Sequence, residues 1–285
     1  MKVLKTSTIQ LLRFHFSLFL LPVFLFALSE IQHPPFGRII LVFIVLHLLV
    51  YPSSNGYNSY MDRDESPIGG LANPLQPTRQ LFIVTVIMDL IALIVSFFIS
   101  SVFSVGILIY ILASRAYSYR GIRLKRFPVT GFLVVFICQG ALIFIITTLA
   151  ITGSFQKFTW LDAGISSLLI GALYPLTQIY QHEEDKKDGV ISLSYQLGKR
   201  GTFIFSMVLF LFATFLLFIR FKEVNQLRYF LLFTIVMLPV LIYFLVWQFR
   251  VRKNEAAANF SNSLKMNVIS TICTTIYFSI LIWIH

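Results

Sequence analysis

The chain has 285 residues, 57% of them hydrophobic and 12% charged, with a formal net charge of +11. Soluble domains carry about 25% charged and about 45–50% apolar residues, so this composition excludes an ordinary soluble enzyme, a disordered chain and a disulfide scaffold. It fits an all-α polytopic membrane protein, because a crossing helix needs about 20 mostly apolar residues and bilayer hydrocarbon offers the backbone no other hydrogen-bond partner.

In chain order, nine apolar stretches predict spans at 9–28, 37–54, 80–99, 101–117, 129–151, 161–181, 202–220, 229–249 and 265–283. The first has a long apolar core containing Arg13 and His15, and no small-x-small site follows it. It reads as an uncleaved span rather than a signal peptide. Residues 80–117 form almost one apolar run, which a tight turn at Ser100-Ser101 divides in two. The remaining connections are short, so residues 1–285 are expected to form a single transmembrane domain, nine helices in one bundle. Cys138 and Cys273 fall within spans and read as packing residues. Asp89, inside the third span, is either functional or a hydrogen-bond partner of a neighbouring helix. Asp162 opens the sixth span, where a helix N-terminus favours negative charge. No Gly-rich phosphate loop, catalytic triad or zinc signature appears.

Orientation follows from the 23 Lys and Arg residues. With the N-terminus inside, five of them (Arg38, Lys157, Arg220, Lys222 and Arg228) fall outside and the other 18 fall on the cytoplasmic side. Such a bias predicts a cytoplasmic N-terminus and an external C-terminus. The positive charge is thus a topology signal, and no nucleic-acid partner is expected.

The twelve acidic residues are unevenly placed. Asp62, Asp64 and Glu65 follow the second span, and Glu183, Glu184, Asp185 and Asp188 follow the sixth. Both segments belong to an ungapped internal repeat. At a constant offset of 123, Tyr51, Pro52, Tyr57 and Asp62 recur as Tyr174, Pro175, Tyr180 and Asp185. Asn55 and Asn58 recur as Gln178 and Gln181, and Glu65 as Asp188. Positions 51, 55, 58, 62 and 65 fall within an arc of roughly 80° if the helix continues that far, and so do their counterparts. Each segment then presents one polar stripe, and two such stripes would line a polar pocket open to the cytoplasm, since lipid exposure is costly.

Facing carboxylates repel unless cations lie between them. All-oxygen ligands from Asp, Asn and Gln suit Mg²⁺, which keeps waters and shares substrate phosphates. Arg63, Arg123, Lys125, Lys186 and Lys187 are the nearby bases that could meet phosphate. The pattern therefore points to a diphosphate held by magnesium between two acidic segments.

These motifs resemble those of the UbiA-type superfamily of intramembrane prenyltransferases, which has nine helices and two acidic motifs after the second and sixth. In the first motif, Asn-x-x-x-Asp-x-x-x-Asp, Asn58 and Asp62 match, while Ser66 stands in the last position, flanked by Asp64 and Glu65. In the second, Asp-x-x-x-Asp, Asp185 matches and Gln181 replaces the first Asp. Gly189, Leu193, Leu197 and Gly198 match its downstream tail. Tyr117, Ser118, Arg123, Leu124 and Lys125 match the Tyr-Ser-x-Pro-Pro-x-Arg/Lys-Leu-Lys segment of the chlorophyll, homogentisate and archaeal-lipid branches, without its two prolines.

The resemblance implies Mg²⁺-dependent transfer of a prenyl group from a prenyl diphosphate to a small aromatic or lipid acceptor. It makes Asn58, Asp62, Glu65, Gln181, Asp185 and Asp188 the candidate metal ligands. Asn58, Arg63, Tyr117, Arg123, Lys125, Gln181 and Lys186 are the candidate diphosphate contacts, with Asp62, Asp185 and Lys125 at the centre of catalysis. Tyrosine and phenylalanine faces could shield an allylic cation. A terpene cyclase using the same ionisation and a membrane transporter with paired repeats are the alternatives.

Overall fold

The computed structural model describes residues 4–284. Lys2, one of the basic residues counted above, and the C-terminal His285 lie outside them. The regular structure is helical, apart from one isolated antiparallel bridge between Ile68 and Leu71. In chain order the helices are α1 (Thr6–Ser29), α2 (Phe36–Asp62), α3 (Arg79–Ile99), α4 (Ser101–Ser118) and α5 (Pro128–Thr152). Then follow α6 (Thr159–Gln178), a short α7 (His182–Lys187), α8 (Leu193–Glu223), α9 (Leu227–Val236), α10 (Leu238–Lys253) and α11 (Phe260–Ile284).

Among the described residues, 7 helices are long and apolar enough to cross a membrane, or 8 when α9 and α10, bent by 42° at Met237, count as one span. The expected sixth span corresponds to α6, which has the length but is too polar to belong to that set. Its polar residues Asp162, Ser166 and Ser167 are buried in the protein, where it packs against α5 and α8. A helix covered by protein needs fewer apolar residues than one facing lipid. On the peripheral α3, by contrast, Ile94, Phe97 and Phe98 are exposed. The turn between α3 and α4 falls at Ser100, whose backbone is extended and whose hydroxyl accepts from Phe103 N–H at 3.0 Å, an N-cap that starts the new helix.

Three local breaks shape the interior. Arg13 adopts a left-handed conformation (φ 47°, ψ 51°) and ends the first turns of α1; a tight 3₁₀ stretch, Phe14–Leu20, carries the chain on. In α2 a π-helical stretch, Ile44–Val50, ends two residues before Pro52. Proline lacks an N–H and collides with the carbonyl four residues back, and the widened turn absorbs both defects. In α5 a second π stretch, Phe136–Leu142, meets α6. There the Ser167 hydroxyl donates to the Phe136 carbonyl (2.7 Å) and accepts from Ala141 N–H (2.9 Å). A Cβ on Gly140 would lie 2.4 Å from Ser167 Cα, so only glycine permits this approach.

Candidate active site

A cavity of about 240 Å³ opens between α1, α2, α4, α5, α6 and α11. Its mouth lies where α2 and α6 end and the loop after α4 crosses. Asp62, Asp64, Lys125 and Asp185 line it there, with Asn58 and Gln181 beside them. Behind the mouth the wall becomes apolar and aromatic, with Phe16, Phe19, Leu20, Val134, Ile170 and Leu173. Tyr51, Tyr110, Tyr117 and Tyr174 also face the cavity. Cys138 lines it as well, and Cys273 is buried elsewhere; both thiols are free.

The two repeats converge on this cavity but by different local structures. Tyr51, Asn55, Asn58 and Asp62 line it along a continuous helix. Tyr174, Gln178, Gln181 and Asp185 line it too, although α6 ends at Gln178. A turn places Gln181 at the start of α7, and α7 supplies Asp185. The helical stripe therefore stops short of the fifth position in both copies. Arg63 takes a left-handed conformation (φ 57°) immediately after Asp62, which turns Glu65 outward to solvent and brings Asp64 to the cavity in its place. Asp188 lies beyond α7 and is not part of the wall; it pairs with Arg123 and, at 3.5 Å, with Arg120.

Hydrogen bonds aim the amides. Asn58 donates its NH₂ to the Ser118 hydroxyl on α4 at 3.0 Å, and Gln181 donates its own to the Pro67 carbonyl at 3.4 Å. Each thereby commits donors to the protein while its carbonyl oxygen remains as an acceptor. The α2–α4 contact is reinforced where the Ser54 and Ser114 hydroxyls share a 2.5 Å hydrogen bond, and the Tyr117 and Tyr174 hydroxyls join α4 to α6 in the same way.

Lys125 and Arg123 both pair with Asp62, whose side chain is only 5% exposed, and Arg123 bridges on to Asp188. Arg120 donates to the Met61 carbonyl at 2.8 Å, capping the end of α2. The loop after α4 thus wraps the acidic end of α2 with three cations. Burial alone would raise the Asp188 carboxyl, but the Arg123 hydrogen bond and charge hold it below the usual range. Asp64 and Asp185 have no basic side chain at ion-pair distance among the described residues. Burial, with neighbouring acids adding to it, pushes Asp64 up to about 6. Burial likewise pushes Asp185 up to about 7, against the opposing pull of Lys125.

Arg63 and Lys186 point elsewhere. Arg63 is exposed, and Lys186 lies over the Tyr195 ring at 5.9 Å. The intramembrane Asp89 pairs with Arg115 and accepts from the Ser53 hydroxyl at 2.6 Å. It joins α2 to α3 and α4 outside the cavity, which assigns it the neighbouring-helix role. Sequence reasoning missed Arg13, whose side chain is buried in the cavity wall. The available signal was a charge inside the first apolar stretch.

Fold and site together define a helical membrane protein whose cavity has a charged mouth and a wall rich in aromatic and aliphatic side chains. The chain belongs to the UbiA prenyltransferase family, whose profile matches residues 19–269. Three solved structures show the same fold. A UbiA homologue from Archaeoglobus fulgidus bound to DMAPP and Mg²⁺ is 18% identical, with TM-score 0.70, over 98% of this chain and 100% of that one. The UbiA homologue from that organism bound to GPP and Mg²⁺ is 19% identical, with TM-score 0.69 over the same shares. A digeranylgeranylglyceryl phosphate synthase is 20% identical, with TM-score 0.61, over 97% of this chain and 96% of that one. No curated protein sequence matches the chain.

Proposed function

We propose that this protein transfers a prenyl group from a prenyl diphosphate, with Mg²⁺ as cofactor, to a small aromatic or lipid acceptor within the membrane. The observation that carries this reading is that one cavity joins a mouth of carboxylates, amides and Lys125 to a wall rich in aromatic and aliphatic side chains, with polar ones such as Gln139 and Thr271 among them. A prenyl diphosphate likewise joins a charged head to an apolar chain. The Archaeoglobus homologue bound to DMAPP and Mg²⁺ supports it by fold and family.

The donor set fits magnesium. The carboxylates of Asp62, Asp64 and Asp185 and the amide oxygens of Asn58 and Gln181 are hard oxygen ligands. Among the described residues no three acidic, His or Cys side chains are grouped closely enough for a ready-made cage. That suits an ion that keeps several waters and completes its shell with substrate phosphate oxygens. Asp64 takes the place expected for Glu65. When bound, Mg²⁺ neutralises charge on the departing diphosphate.

Lys125, which lines the cavity and is held by Asp62, is placed to share its N–H donors with phosphate oxygens, a charge-assisted contact that orients the leaving group. Arg123 stands outside the cavity wall and ties Asp62 to Asp188. The C1–O bond then breaks and its electron pair leaves with the diphosphate. The acceptor forms a bond to C1 and releases a proton. The Tyr117 and Tyr174 rings line the cavity close to the acidic end, where they exclude water and offer π faces to an allylic cation. On the distribution of basic residues, we place the mouth on the cytoplasmic side, with the N-terminus inside and the C-terminus outside.

Labelled DMAPP and GPP, incubated with the detergent-purified protein, Mg²⁺ and a panel of aromatic and lipid acceptors, test the reading. A prenylated acceptor with stoichiometric diphosphate release is the expected result. A cyclised hydrocarbon formed without acceptor would make it a terpene cyclase, and intact substrate moved across proteoliposomes without diphosphate release would make it a transporter.

A further inference from the structure

Helix α7 is the least self-sufficient element of the site. It has six residues, His182–Lys187, and five of them are charged. Helices this short do not hold together in water without tertiary packing, and His182 is the one residue that α7 buries. Yet α7 supplies Asp185 to the cavity, and Gln181 stands at its N-terminal boundary. His182 itself does not line the cavity.

His182 reaches α8 through a buried chain of hydrogen bonds. Its Nε2 lies 2.8 Å from the Ser194 hydroxyl, which in turn lies 3.0 Å from the Thr202 hydroxyl. Ser194 and Thr202 are fully buried. Thr202 has one hydroxyl proton and gives it to the backbone, where the carbonyls of Gly198 (2.8 Å) and Ser194 (3.1 Å) accept. Ser194 therefore donates to Thr202, and His182 Nε2–H donates to Ser194. The chain ends where Gly198 (φ 67°, ψ 170°) interrupts α8, and the Tyr195 ring packs edge-on against the imidazole at 5.5 Å. Three acids follow His182 in succession, so the rotation of α7 decides which of them faces the cavity. At about 100° per residue, Asp185 stands about 60° from His182 around the helix, Glu183 about 100° and Glu184 about 160°. With His182 held on α8, Asp185 lines the cavity and Glu183 is exposed.

We propose that His182 is a positioning residue for the metal site. It fixes the rotation of α7 on α8, so that Asp185 rather than Glu183 or Glu184 meets Mg²⁺, with Gln181 held beside it. The inference rests on the prenyl-transfer reading above and adds a residue that touches neither metal nor substrate.

Two measurements on the full-length protein in detergent test it. The first needs no ligand. Hydrogen–deuterium exchange of backbone amides 183–190 should be about tenfold faster in His182→Leu than in wild type, as local opening becomes easier. His182→Gln, which keeps an N–H donor near the Nε2 position, should restore most of the protection. The second follows binding of the slowly reacting analogue geranyl thiolodiphosphate across a magnesium titration. The Mg²⁺ concentration at half-maximal binding should rise about tenfold in His182→Leu, a usual cost of losing an outer partner of a metal site. Full binding should return at high Mg²⁺, and His182→Gln should stay close to wild type. Ser194→Ala should show a smaller rise, and adding it to His182→Leu should cost nothing further, since both remove one hydrogen bond. Wild-type behaviour of His182→Leu in both measurements overturns the proposal. Faster exchange with an unchanged Mg²⁺ dependence also overturns it, by making His182 a structural anchor alone. A His182→Gln variant as impaired as His182→Leu would remove the hydrogen-bond chain from the argument and the proposal with it. If His182→Leu does not fold, Ser194→Ala and His182→Gln carry the same two measurements. Failure of wild type to bind the thiolodiphosphate at all would sink prenyl transfer instead, with the exchange measurement still deciding whether His182 anchors α7.

Discussion

At one end of the bundle, the Arg220 guanidinium on α8 pairs with Glu30, which follows α1, and with Asp162 at the start of α6 (3.3 Å). These three side chains are no more than 10% exposed, and one cation ties three segments together. At the other end, Lys125 and Arg123 take up Asp62 and Asp188, yet Asp64 and Asp185 face the cavity with no basic side chain at ion-pair distance. Their carboxyls are displaced upward to about 6 and about 7, chiefly by burial. Both ends bury charge, so burial alone does not mark a functional group. What distinguishes the mouth is negative charge that the fold leaves for something else to balance.

The largest effect should come from removing a carboxylate from the mouth, one held by cations and one left without a basic partner. Asp62→Asn and Asp185→Asn are each expected to lower Mg²⁺-dependent diphosphate release by about a thousandfold, equivalent to about 4 kcal/mol of barrier. The protein should still elute as a folded, monodisperse species. Unchanged release in both variants would place the mouth in the same structural category as the far end.

Arg220→Leu should do the opposite. It strands Glu30 and Asp162 without their cation, and breaking a buried pair costs about 3–5 kcal/mol. A lowered unfolding temperature is expected, with the Mg²⁺ dependence of turnover retained in the folded fraction. If Arg220→Leu is as stable as wild type, the far end is not a structural clasp.

A smaller and sharper test lies in the paired amides. Asn58→Ala and Gln181→Ala should reduce turnover to similar degrees, about tenfold each, because each removes one amide oxygen from the cavity. Gln181→Asp should remain active and bind Mg²⁺ more tightly. A silent Gln181→Ala beside an impaired Asn58→Ala, read across a magnesium titration, would make the repeat a matter of ancestry alone. The smallest effect is assigned to Lys125→Ala, a rise of about fivefold in the KM for prenyl diphosphate, as expected for loss of one phosphate contact. An unchanged KM would remove Lys125 from the substrate site.

Much of the site was legible because its signals are local. The offset of 123 joins Tyr51, Asn55, Asn58 and Asp62 to Tyr174, Gln178, Gln181 and Asp185, and all eight line one cavity. Helical spacing predicted the first four directly. The second four reach the same place although α6 ends at Gln178, so there the repeat carried information that helical periodicity did not. Glu65 and Asp188 fall outside the cavity wall for a definite reason. Extending the stripe assumed that the helix continues, and the left-handed turn at Arg63 and the end of α7 before Asp188 stop it.

The sequence by itself determined that this chain is a helical membrane protein with two acidic segments, since apolar length and charge scarcity are properties of composition and spacing. It also carried the family, through motifs whose residues stand at fixed intervals. Only the tertiary structure decided which charges are balanced. Whether Asp89 meets Arg115, whether Asp64 or Glu65 reaches the cavity, and whether Arg13 lies in its wall depend on which helices lie side by side. Coulomb energy falls with distance and rises steeply as water is excluded. Both quantities are set between segments distant in the chain, where no local pattern records them.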